Sequence, residues 1–327
     1  MLIDSFGRQH NNLRISVTDR CNIRCYYCMP EETPVFVSHC EVLTFEEIER
    51  FVRVAAGLGV NKVRLTGGEP LVRRDLPLLV KMLKRVPALT DIALTTNGLL
   101  LSEQAASLRS AGLERINVHL DTLDRARFRQ ITRRDELDRV LEGLEVCKQL
   151  GYRVKINAVA LRGLTEPDIV PLALFARDRG IEVRFIEFMP LDADGQWRRD
   201  LVLFASEILD ILSREIGPLE PIQGQDSRAP AAEFRFTDGG GRIGIIASVS
   251  RPFCGSCNRL RLTADGKLRN CLFATEELDV KAVLRGGGSD SDLDGLIRQG
   301  VREKWEGHEI HSAKFVQPPR PMYSIGG

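Results

Sequence analysis

The 327-residue chain carries almost no surplus charge of either sign: 46 lysines and arginines stand against 45 aspartates and glutamates, for a net charge of +1. So close a balance gives no overall reason to expect nucleic acid or an anionic membrane as partner, and any anionic ligand must be met by basic residues gathered locally. An uninterrupted apolar run of the roughly 18 residues needed to span a bilayer is missing. The opening MLIDSFGRQHNN also lacks the apolar core of a secretory leader. The expectation is a cytoplasmic protein. No low-complexity domain is present. With 43% hydrophobic and 28% charged residues, the composition suits one large α/β domain or two domains with a sizeable core.

Eight cysteines in a reducing compartment do not read as a disulfide framework. Cys40 and Cys147 stand apart, the first a loop thiol and the second a small core residue in a helical pattern. The other cysteines form two tight groups. Cys21, Cys25 and Cys28 make a Cys-x3-Cys-x2-Cys run just after a short apolar strand at residues 13–17. Thiolates so crowded repel one another unless a soft cation sits between them. A structural zinc site closes with four ligands and a four-iron cube normally takes four cysteines, so a three-cysteine run implies a distant fourth ligand or an iron left open. Cys254, Cys257 and Cys271 form Cys-x2-Cys-x13-Cys, again with three ligands, and a zinc ribbon completed by His308 or His311 is the alternative there.

From residue 44 a unit recurs of amphipathic helix, glycine or proline stop, and short β-rich strand. Thr44 and Glu47 make a capping box, and further helix starts fall near Asp75, Ser102, Asp135 and Glu166. Strands are predicted at 13–17, 62–66, 91–96, 115–120, 153–159 and 182–187, in βα order, which makes a parallel sheet with right-handed crossovers the economical fold. Such strands should be almost wholly apolar when helices cover both faces. These alternate instead: Leu13, Ile15 and Val17 with Arg14 and Ser16, Val63 and Leu65 with Lys62 and Arg64. One face therefore packs on helices and the polar face looks into a lumen. A complete eight-stranded barrel fills its own interior, so a curved, incomplete six-stranded barrel fits better, with chemistry at the carboxyl ends of the strands. There the cysteine run follows strand one and Gly67-Gly68-Glu69-Pro70 follows strand two, the glycines permitting close backbone approach and Glu69 supplying an acceptor. After residue 190 the pattern changes. A helix is predicted at 204–216, capped near Ser206, strands at 234–236 and 243–248, a flexible acidic loop at 286–292, and a last helix at 293–304.

The Cys-x3-Cys-x2-Cys run with Tyr27 directly before the third cysteine resembles the radical S-adenosylmethionine (SAM) superfamily. The resemblance implies an incomplete (βα)6 barrel at 1–190 and a 191–327 region carrying a second iron–sulfur cluster. It also implies a [4Fe-4S] cluster whose open iron is chelated by SAM, which is cleaved to a 5′-deoxyadenosyl radical. The Cys254–Cys271 segment, with Asn258-Arg259-Leu260-Arg261-Leu262, and the closing Gly326-Gly327 are similar to one family within it, the GTP 3′,8-cyclases. These are lyases that open molybdenum cofactor biosynthesis.

Carried over residue by residue, the likeness implies ligation of two [4Fe-4S] clusters by Cys21, Cys25 and Cys28 and by Cys254, Cys257 and Cys271. Tyr27, Gly68, Glu69 and Met189 would contact SAM, and Arg14, Arg64, Thr95, Lys155, Arg259, Leu260 and Arg261 would bind GTP. Gly326 and Gly327 would reach the active site beside Arg259 and Arg261. His119 stands where the family usually carries serine, which leaves the SAM contact there to an imidazole. A flavodoxin- or ferredoxin-type reductant, a homodimer and a transient hand-over to the next enzyme are implied as partners. A peptide-modifying radical SAM enzyme and a non-catalytic zinc scaffold are the other readings. The first generally carries more auxiliary cysteines, and the second would be colourless.

Overall fold

The structure, a computed structural model, describes residues 1–30, 32–310, 312 and 315–326. His311 and Gly327 lie outside the described residues. Strands β1 (Asn12–Ser16), β2 (Lys62–Thr66), β3 (Asp91–Thr96), β4 (Arg115–His119), β5 (Arg153–Ala160) and β6 (Glu182–Glu187) pair in sequence order, all parallel. The expected core is therefore present. The second half of the chain extends it on both edges. Strand β9 (Arg242–Ile246) pairs parallel with β6, and β10 (Arg259–Leu262) pairs parallel with β1. Beyond β9 lie β8 (Ala232–Phe236) and then β7 (Leu219–Pro221), and beyond β10 lie β11 (Lys267–Arg269) and β12 (Leu278–Asp279), all antiparallel. The order is linear, so the sheet does not close into a barrel.

Alternation along the strands decides what faces where. Leu13, Ile15, Val63, Leu65, Ile116, Val118, Ile156 and Phe185 are buried against the helices, and Leu260 and Leu262 of β10 join them. The helices that cover this face include α1 (Phe45–Gly57), α2 (Leu76–Lys84), α3 (Leu101–Ser110), α4 (Arg125–Thr132), α5 (Leu137–Gln149) and α6 (Ile169–Arg179). The capping box of α1 is formed: Thr44 Oγ1 accepts from the Glu47 amide at 3.2 Å and the Glu47 carboxylate accepts from the Thr44 amide at 2.7 Å. Cys147 is fully buried in the core and Cys40 is exposed.

Three local expectations need correction. The sequence pattern does not signal helix α4, because only Phe128, Ile131 and Thr132 of its residues are buried and the others are three arginines, Ala126 and Gln130; its start is fixed by Asp124, which accepts from the Arg127 amide at 2.7 Å. Residues 290–292 are not a flexible loop. Ser289 caps α9 (Asp290–Arg302), its Oγ accepting from the Asp292 amide at 3.2 Å while its own amide donates to the Asp292 carboxylate at 2.7 Å, and the acidic residues lie in the first turn, where the helix dipole favours them. Helix α7 (Ala205–Glu215) begins after Phe204 rather than at Ser206, its entry fixed by Glu207 accepting from the Phe204 amide at 3.0 Å. Among the described residues no helix is long and apolar enough to cross a membrane.

Candidate active site

Two cavities share the open lumen. The first, of about 1070 Å³, lies at the carboxyl ends of the strands and is lined by all of Cys21, Cys25, Cys28, Tyr27, Gly68, Glu69, His119 and Met189. The cysteine loop is held there by backbone contact with the turn after β2. The Gly68 amide donates to Thr18 O and the Glu69 amide to Arg20 O, each at 2.7 Å. A Cβ on Gly68 would stand 2.5 Å from both Asp19 O and Arg20 O, so no larger residue fits this seam. Glu69 is buried and accepts from Thr96 Oγ1 at 2.7 Å, the Asn97 amide at 2.6 Å and the Leu71 amide at 3.0 Å. Burial outweighs these donors and pushes its carboxyl up to about 7.

His119 is drawn into a buried polar group. Its Nε2 lies 2.5 Å from the Tyr27 hydroxyl and 3.1 Å from Asp121 Oδ2, and the Tyr27 hydroxyl donates to the same carboxylate. Burial disfavours the imidazolium, but Asp121 and Cys25 beside it prevail and raise its pKa well above the ordinary histidine range. Asp121, Asn97 and Asn157 escaped the sequence reading. Asn97 is the informative case: its Nδ2 reaches Cys21 Sγ at 3.7 Å and Asn22 Oδ1 at 2.7 Å, and only the fold brings β3 beside the cysteine loop.

The second cavity, of about 1650 Å³, is lined by Arg14, Arg64, Thr95, Arg259 and Arg261 together with Cys254, Cys257 and Cys271. Thr95, Asn157, Ile186, Met189 and Met322 line both cavities, which therefore adjoin. Register explains the arginines. Arg14 of β1 lies opposite Arg261 of β10 on one side and Arg64 of β2 on the other, so three guanidinium side chains leave adjacent strands in one row. Neighbouring Arg115 and Arg184 are paired with Asp91 and Glu182, whereas Arg14, Arg64 and Arg261 form no ion pair among the described residues. Burial first, and then repulsion from Arg261 and Arg64, disfavour the charge on Arg14; burial and then Arg259 disfavour that on Arg261. Arginine keeps its proton in proteins, so this amounts to stored electrostatic strain rather than deprotonation.

The remaining expected residues fall in different places. Arg259 stacks over Phe253, 4.5 Å from the ring centroid, and directs Nε to Cys257 Sγ at 3.4 Å. Arg261 donates to Gly326 O at 2.6 Å, and a Cβ on Gly326 would come within 2.7 Å of Ser16 Cβ, so the tail is seated on the ends of β1 and β2. Lys155 lines neither cavity and pairs with Glu182 at 2.5 Å and Glu233 at 3.6 Å. The Leu260 side chain is buried in the core, opposite Leu13.

The residues present fit iron–sulfur clusters and a polar anionic ligand. All the cysteines are free, and each triplet opens onto the lumen. Burial, helped by Glu69, pushes the Cys21 thiol up to about 12, and burial raises Cys28 as well, so a cation is needed to bring out their thiolates. Among the described residues no group of three His, Cys, Asp or Glu side chains is placed to hold one metal ion; thiolates bound to different irons of a cube stand farther apart than ligands of a single ion. In the lumen Arg14 Nε, Thr95 Oγ1, Asn117 Nδ2 and Asn157 Oδ1 are buried with no hydrogen-bond partner among the described residues. Orphaned polar atoms converging on one cavity are what a bound polar ligand would satisfy.

Comparison with known proteins gives the same picture. Residues 15–176 match the radical SAM superfamily and residues 181–310 match Molybdenum Cofactor Synthesis C. A GTP 3′,8-cyclase of Rhodopirellula baltica is 51% identical, with 100% of this chain and 92% of that protein aligned. Another, of Pelotomaculum thermopropionicum, is 45% identical over 99% of each chain. The solved structure of Streptococcus suis SuiB bound to S-adenosylmethionine superposes with a TM-score of 0.63 at 15% identity, covering 89% of this chain and 68% of that one, a likeness of fold. With identity this high along its whole length, the chain belongs to the GTP 3′,8-cyclase family of the radical SAM superfamily.

Proposed function

We propose that this protein converts GTP to (8S)-3′,8-cyclo-7,8-dihydroguanosine 5′-triphosphate, acting as a lyase at the first step of molybdenum cofactor biosynthesis. The observation that carries the reading is the row Arg261–Arg14–Arg64, without carboxylate partners among the described residues and adjoining the cysteine-lined cavity. A triphosphate brings the negative charge that this row lacks, and guanidinium forks match phosphate oxygens in pairs.

Cys21, Cys25 and Cys28 would hold the first [4Fe-4S] cluster and Cys254, Cys257 and Cys271 the second. When bound, the first cluster and SAM supply a carbon-centred radical that takes hydrogen from C3′ of the ribose. The protein's own work is placement. Glu69, its carboxylate fixed by three donors, would accept from the SAM amino group, and His119, held by Asp121, would meet the SAM ribose or carboxylate. Thr95, Met189 and Met322 lie where the cavities meet, so C3′ held there would face the radical source. The guanine base would lie against the second cluster, and Gly326-Gly327 would close the lumen through Arg261. Enclosure keeps water and other hydrogen donors from the reacting atoms. A division at residue 190 into barrel core and auxiliary-cluster region, a cytoplasmic location, a flavodoxin- or ferredoxin-type reductant, a homodimer and hand-over to the next enzyme belong to the same reading.

Anaerobic protein reconstituted with iron and sulfide, then given SAM, dithionite and GTP, is expected to yield 5′-deoxyadenosine and cyclised GTP by mass spectrometry. Deoxyadenosine without cyclised GTP would leave the radical chemistry intact and remove GTP as the substrate.

A further inference from the structure

Lys304 follows the last turn of α9 and is 5% exposed, with its ammonium inside the protein beside the second cysteine triplet. Its Nζ donates to Arg259 O at 3.0 Å and to Asn270 O. Arg259 is two residues beyond Cys257 and Asn270 directly precedes Cys271, so a single ammonium ties together two of the cysteine-bearing segments. The third is held from the amino-terminal segment. Arg8 Nη1 donates to Cys254 O at 2.8 Å and to Glu306 O at 2.6 Å, and Nη2 donates to Trp305 O at 2.5 Å.

The two cations differ in one respect. Arg8 is neutralised by Asp4 at 2.6 Å, and Asp4 also holds His10 at 2.9 Å. Lys304 has no carboxylate partner among the described residues. A buried ammonium that donates only to carbonyls keeps an uncompensated charge, which is costly unless an anion lies close by. Lys304 lines the same cavity as Cys254, Cys257 and Cys271, so a cluster held there would be the anion beside it.

We propose that Lys304 is a buried counter-ion of the second iron–sulfur site, beside Arg259, and a positioning residue that fixes two of its three cysteine segments and raises the reduction potential of the cluster they hold. The inference rests on reading Cys254, Cys257 and Cys271 as cluster ligands. A cluster bound by three thiolates gains a further negative charge on reduction, and a fixed positive charge nearby favours that reduced state. Direct donation to the two carbonyls adds a mechanical role, because those carbonyls set how Cys257 and Cys271 are presented.

The test uses full-length protein carrying both clusters, titrated with dithionite and followed by electron paramagnetic resonance, with Lys304→Met, Lys304→Gln and Lys304→Arg compared with the unaltered chain. SAM perturbs the first cluster's signal and so identifies it, which makes that cluster an internal control. The neutral variants are expected to shift the reduction equilibrium of the second cluster at least tenfold toward the oxidised state, about 59 mV for one electron. The first cluster's potential should stay in place, and Lys304→Arg should restore the second within threefold. If neither neutral variant retains the second cluster's iron while Lys304→Arg does, the charge is needed for assembly, which also supports the proposal. Unchanged potential and iron content in Lys304→Gln would overturn it. Iron for only one cluster in the unaltered protein would instead bring down the reading beneath it.

Discussion

Replacing Arg14 by methionine is expected to stabilise the ligand-free protein while removing most of its affinity for GTP. Arg14 sits between Arg261 and Arg64 in one cross-strand row. Its Nε has no hydrogen-bond partner among the described residues. A buried charge in such a position opposes folding, and exchanging buried ionic groups for apolar ones of similar size is often neutral or favourable by about 1–4 kcal/mol. A melting temperature raised by a few degrees is expected without ligand. GTP should reverse the ranking. Losing one charge-assisted, desolvated phosphate contact costs about 2–5 kcal/mol, so affinity should fall by roughly two orders of magnitude, and the stabilisation by GTP should shrink with it. A lower melting temperature in the ligand-free variant, or an unchanged affinity by calorimetry, would contradict this account of the lumen.

The two cysteine triplets are expected to fail differently. Cys25→Ala should abolish both 5′-deoxyadenosine and cyclised GTP, because Cys25 lines the first cavity, where SAM would be cleaved. Cys257→Ala should leave slow SAM cleavage in place and lower cyclised GTP at least a hundredfold, because Cys257 lines the second cavity only. Half of the iron should remain in each variant. Loss of deoxyadenosine in Cys257→Ala, with the first cluster intact by its paramagnetic signal, would show that the second site is needed for SAM cleavage and not only for placing the guanine.

Strand alternation made β1, β2, β4 and β5 readable from the sequence, because their polar and apolar residues repeat with period two. The stretch Arg259-Leu-Arg-Leu262 has the same pattern, yet it is only four residues long and its partner β1 is nearly 250 residues away, so its place in the sheet depended on tertiary pairing. That pairing is also what turns Arg14, Arg64 and Arg261 from three scattered basic residues into one row. Lys155 illustrates the opposite limit. Its alternation matches that of its neighbours, but Glu182 and Glu233 come beside it through β6 and β8 and claim its charge. The cysteine spacing was legible because the ligands lie close in sequence. Lys304, Asn97 and Asp121 were not, since each acts on a segment that only folding brings near.

The most direct test of the account is the fate of one hydrogen. GTP carrying deuterium at C3′, incubated anaerobically with the reconstituted protein, SAM and dithionite, is expected to transfer that deuterium to 5′-deoxyadenosine while cyclised GTP accumulates. Both would be read in a single mass spectrum. Deoxyadenosine free of deuterium, formed alongside unconsumed GTP, would contradict the claim that the two cavities hold SAM and GTP as reaction partners.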